Sequence, residues 1–92
     1  MIFYVDRLEW DSQNIEHIAQ HNVIPEEVEE VCHDKYISRG THHKRILLIG
    51  PTQSGRMIAI VLRPLKKRGS YRTITARPTS RDEIRQYDEE SR

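Results

Sequence analysis

Three arginines recur every four residues in the stretch TITARPTSRDEIRQY: Arg77, Arg81 and Arg85. Like charges at that spacing on a helix repel and cost stability. An anion held among the guanidiniums reverses the sign, because each can grip a phosphate through two N–H groups. Pro78 with Thr79 or Ser80 starts a helix here, and both TSRD and SRDE fit a capping box. Arg81 then falls in the first turn, where free N–H groups also attract anions. The alternative is a solvated face, with Arg85 paired to Glu89 and Arg81 to a carboxylate of the first helix.

The stretch GTHHKRIL places His42, His43, Lys44 and Arg45 at the start of a strand. Histidine moves protons near neutral pH, and basic neighbours hold phosphate. A basic surface hairpin is the plainer reading. His17 and His21 stand four apart, on one face of a helix. That spacing also suits a divalent metal, but no third ligand stands out, so neither metal nor other cofactor is expected. Lys66, Lys67 and Arg68 form a solvated turn or extend an electrostatic footprint for RNA. Cys32 is the only cysteine. It cannot form an internal disulfide, which fits a reducing cytosol, and it is expected to pack as a small buried hydrophobe.

Elements must hold these residues in place. Ninety-two residues, 36% hydrophobic and 32% charged, make one soluble domain spanning 1–92. No apolar run approaches the ~18 residues of a membrane helix. The start MIFYVDRLEW lacks a basic segment followed by a long apolar one, so it is not read as a signal peptide. Net charge is +1, but the charge is not spread evenly. Residues 1–34 carry nine acids against Arg7 alone, whereas residues 35–87 carry thirteen Lys or Arg against Asp82 and Glu83. Such a two-faced chain suits phosphates or an acidic partner on its basic part.

A first strand is expected over 2–10, with Phe3, Val5 and Trp10 in the core. Asp11 or Ser12 caps a helix over 12–21 with Ile15, Ile18 and Ala19 as its apolar stripe. Asn22 tolerates the left-handed turn that ends helices, and Pro25 opens a second helix burying Val28, Val31 and Cys32. Strands follow at 35–38, 45–50, 56–65 and 71–76, separated by turn chemistry at 51–55 and 66–70. In YRTITAR, alternation puts Arg72, Ile74 and Ala76 on the core side, with Tyr71, Thr73, Thr75 and Arg77 opposite. Only Ile84 and Tyr87 of the last helix look buryable. The order is β-α-α-β-β-β-β-α, an α+β fold with a mostly antiparallel sheet.

The pattern as a whole resembles the BrnT family of bacterial type II toxin–antitoxin toxins, which share the RelE-like fold. The matching stretches are LEWD (8–11), HNVIPEEV (21–28), RILLIG (45–50), the apolar strand 57–62, and ITARPTSRDEIRQYDE (74–89). The family's usual ending is an Ile-Ser-Ala-Arg strand end, a second Arg four later, and a Tyr ten after the first Arg. Arg77, Arg81 and Tyr87 sit at those intervals, and Glu83 and Arg85 fit too. The resemblance implies a cytoplasmic, metal-independent ribonuclease, in which a ribose 2′-hydroxyl attacks the adjacent phosphate. It implies Arg45 and Arg77 for charge stabilisation, Arg81 for phosphate binding, and His21, His42 or His43 for proton transfer. Lys44, Arg85 and Tyr87 would add RNA contacts. It also implies a small ribbon-helix-helix antitoxin as partner, operator DNA only through that antitoxin, and no membrane. Helix 1 departs from the family in having no lysine, in Gln20 where a lysine is usual, and in Asn22 after His21 in place of glycine. A non-catalytic relative that docks a partner protein is therefore the alternative.

Overall fold

The computed structural model describes residues 4–91. Chain order is β1 (Arg7–Glu9), α1 (Ser12–Ala19), α2 (Pro25–Cys32), β2 (Ile37–Gly40), β3 (Ile46–Pro51), β4 (Met57–Pro64), β5 (Ser70–Pro78) and α3 (Arg81–Glu90). A 3-10 turn, His42–Lys44, joins β2 to β3. The fold is α+β, with the expected β-α-α-β-β-β-β-α order. The strands form one sheet in the order β1-β5-β4-β3-β2. β1 runs parallel to β5, and every other pairing is antiparallel. No helix among the described residues is long and apolar enough to cross a membrane.

Local chemistry explains the helix ends. Asp11 caps α1: its Oδ1 accepts from the Asn14 N–H at 3.0 Å, and Asn14 Oδ1 accepts from the Asp11 N–H at 2.9 Å. The helix stops at Ala19, two residues short of expectation, and Asn22 takes the left-handed φ of 60° that turns the chain. Pro25 occupies the first position of α2, and the Glu27 carboxylate accepts from the Ile24 N–H at 3.2 Å.

The sheet separates two apolar clusters. Ile18 of α1, Val28, Val31 and Cys32 of α2, and Leu48, Ile58, Ile60, Leu62 and Ala76 of the sheet form the larger one. Ile37, Ile49 and Ala59 form the smaller one, on the opposite pleat, with Leu47, Met57 and Tyr87 against it. Helices 1 and 2 therefore cover one face, and α3 covers part of the other. Burial pushes the Cys32 thiol up to about 12, and the Glu29 carboxylate adds to it, so Cys32 stays protonated as a packing residue.

Several expectations change. The first strand is much shorter than 2–10, and Phe3 lies outside the described residues. Ile15 and Ala19 are exposed, and the buried face of α1 is Asn14 and Ile18. Asn14 is tolerated there because its amide donates to the Glu9 carbonyl at 2.9 Å while its oxygen serves the cap. β2 begins two residues later than the 35–38 estimate.

Candidate nucleic-acid interface

Register fixes what shares the α3 side of the sheet. Cross-strand partners lie on one face, and alternate residues along a strand repeat it. Ile37, Ile49, Ala59 and Arg77 form one row, and Arg39, Leu47, Val61 and Thr75 form the next. A third row follows, because Arg63 pairs with Arg72 and Arg45 extends β3 by one residue. The Thr41 N–H donating to the Arg45 carbonyl at 2.8 Å carries the ladder that far. Rows lie about 7 Å apart along the strands. Leu47, Val61 and Thr75 are half-buried. They form a partly apolar strip of sheet, with Arg39, Arg45, Arg63, Arg72 and Arg77 in the same three rows.

A register shift at Val61/Leu62 makes this arrangement. Val61 opposes Thr75 and Leu62 opposes Thr73, so Ile74 is the extra, bulged residue. Simple alternation through YRTITAR therefore fails. Thr73 and Ala76 are fully buried towards the helices 1 and 2 side, whereas Arg72 joins Thr75 and Arg77 on the other face. The Thr73 hydroxyl is buried without a hydrogen-bond partner among the described residues.

The guanidiniums differ in what they hold. Arg77 forks onto Glu83 of α3 at 2.7 and 2.9 Å, which holds the Glu83 carboxyl below its ordinary range. Glu83 also accepts from the Ser80 N–H, closing the capping box of α3. Arg39 forks onto Glu90 at the far end of that helix. Arg72 grips Asp11 at 2.6 and 3.1 Å, and that hydrogen bond is the main reason the Asp11 carboxyl is lowered to about 2. Arg45 and Arg63 are exposed, and no ion pair reaches either among the described residues.

Arg81 and Arg85 do not join Arg77. At 100° per residue they fall on the side of α3 away from Glu83, Tyr87 and Glu90, and both are exposed. Among the described residues Arg85 pairs with Asp82 alone, at 3.4 Å. Tyr87 packs on the smaller apolar cluster. His42, His43 and Lys44 occupy the exposed turn leading into Arg45, with His43 and Lys44 at φ of 62° and 60°. His17 faces Arg63 and Arg72 across a cleft of about 290 Å³ floored by Thr73 and Ile74. His21 lies in the turn just past the end of α1, edge-on to His17 with ring centres 6.0 Å apart, outside that cleft. Among the described residues no three His, Cys, Asp or Glu side chains gather as a metal site.

Sequence reading passed over Arg39, Arg63, Arg72 and His17 as parts of this surface. Arg63 ends an apolar strand and stands out only once its cross-strand neighbours are known. Chemically, this sheet face offers fixed positive charge beside half-buried apolar side chains, the pairing of features that single-stranded nucleic acid requires. Compared with known proteins, the chain matches no family model and no curated sequence.

Proposed function

We propose that the chain is an RNA-cleaving toxin of the BrnT type, working on the sheet face beside α3. The observation that carries this reading is the row Arg45–Arg63–Arg72 across three neighbouring strands. Arg72 is held by Asp11, but Arg45 and Arg63 meet no carboxylate among the described residues. Like charges directly opposite one another are destabilising, and a phosphodiester laid across that pair turns the repulsion into binding. In the proposed reaction the ribose 2′-oxygen forms a bond to phosphorus while the bond to the 5′-oxygen breaks. His17 accepts the 2′-hydroxyl proton, and the leaving oxygen takes a proton from water or from the His42/His43 turn. Arg45 and Arg63 stabilise the charge developing on the phosphoryl oxygens. Cytoplasmic location, a ribbon-helix-helix antitoxin and operator binding through it belong to the same proposal.

The test is incubation of the purified chain with RNA in EDTA, with and without ribosomes. The parent is expected to cut in at least one setting, and Arg63→Ala to lose about a hundredfold in rate. Intact RNA in both settings would remove the proposal. One observation favours a second reading, a non-catalytic protein-interaction module: Arg39 and Arg77 are already neutralised by the chain's own Glu90 and Glu83. Intact RNA together with partner binding at fixed stoichiometry would select it.

A further inference from the structure

The helical layer carries the opposite charge from the arginine face of the sheet, and it is not closed. Between α1 and α2 lies a cleft of about 480 Å³, lined by Trp10, Ile15, Pro25, Glu26, Glu29 and Glu30. Its apolar part is open to solvent: Ile15 is 38% exposed, and Ile24, beside Pro25, is 52% exposed. The Trp10 indole N–H donates to Glu29 Oε2 at 3.0 Å, which fixes the ring in the cleft wall. Glu26, Glu29 and Glu30 follow the three- and four-residue spacing of one helix edge, so they line one side of the cleft. No ion pair reaches Glu26 or Glu30 among the described residues, and Glu30 spends one oxygen on the Gln53 N–H at 3.0 Å, leaving the other open. Elsewhere on this layer Glu27 is paired with Arg56 and Asp11 with Arg72.

An occupant must therefore be apolar along one side and cationic beside it. The walls are helix side chains, which offer no ladder of free N–H and C=O groups to an extended peptide. The occupant has to satisfy its own backbone, and a helix does so. We propose that this cleft docks a basic amphipathic helix of another protein, with apolar side chains against Trp10 and Ile15 and Lys or Arg against Glu26 and Glu30. The surface is separate from the arginine face of the sheet, so its failure would leave the RNA reading untouched.

Trp10 is the only tryptophan, so its emission reports occupancy directly. The probe is a synthetic helical peptide of about 15 residues, leucine on one face and lysine on its flanks, without tryptophan. It is expected to shift Trp10 emission saturably, while the same peptide with glutamate flanks leaves it unchanged. Glu26→Gln with Glu30→Gln is expected to weaken binding about tenfold. Ile15→Glu, at an exposed position, is expected to abolish it with circular dichroism unchanged. Absence of any shift, an equal shift with the glutamate peptide, or an unweakened double variant would overturn the proposal. So would a concentration-dependent dimer that Ile15→Glu dissociates, because the occupant would then be a second copy of the chain.

Discussion

The two faces of the sheet are built differently. On one, α1, α2 and the turn between them bury Ile18, Val23, Val28 and Val31 completely against Leu48, Ile58, Ile60 and Leu62. On the other, α3 has no buried residue and rests on the sheet through Tyr87 and two ion pairs to arginines. Burial of a large aliphatic side chain stabilises by about 1.5–3 kcal/mol, whereas exposed ion pairs contribute about 0–1 kcal/mol. The first face thus holds the fold together. The second keeps its charged groups near water, where a ligand can compete for them.

The sharpest way to break that comparison is to cut into each side equally. Ile18→Ala is expected to cost about 2–5 kcal/mol in urea unfolding, because it empties a fully packed site. Tyr87→Ala should cost less, about 1–2 kcal/mol, since its ring is only partly buried against the smaller cluster. Equal losses would mean that α3 is as integral as the other helices. A smaller effect separates the arginines. Removing Arg45 and Arg63 together should weaken RNA binding and lower its salt slope by about two, one for each phosphate contact. Arg81→Ala, on the outer side of α3, should leave the slope nearly unchanged. Matching slopes for the two variants would move the interface onto α3.

The smallest effect is a titration. Asp11 has its carboxyl lowered to about 2 by Arg72, below the ordinary value of about 3.9. A depressed folded-state value means that this stabilisation is present above the unfolded value and is lost as pH falls through about 2. Arg72→Ala should raise the Asp11 midpoint towards the ordinary range, read from its carboxyl carbon by NMR. An unmoved midpoint would assign the shift to the helix cap and leave Arg72 free for a ligand.

Much of this was legible in the chain. Pro25, Asn22 and the Val28/Val31/Cys32 spacing specify α2 and its entry, and the run at 56–65 specifies the central strand. The α+β order follows from those local signals. The site was legible only in part. Arg77 falls on the sheet face that strand alternation gives it, but the bulge at Ile74 moves Arg72 to that face and Thr73 away from it. A bulge depends on how two distant strands meet, so no short-range pattern announces it. Ile15 reads as core by helical spacing, yet Asn14 takes the buried position because its partners are backbone groups of the preceding strand end.

The parallel pairing of β1 with β5 has a consequence for how the chain is made. Residues 7–9 find their ladder partners at residues 70–72, across nearly the whole sequence. While a ribosome is still delivering the central strands, the apolar sides of α1 and α2 have no sheet to lie on. Closing so long a loop comes late and favours slow, all-at-once collapse over stepwise growth. For that interval Ile18, Val28 and Val31 of the acidic first third stay uncovered, the kind of transient apolar exposure that makes incomplete chains prone to aggregate.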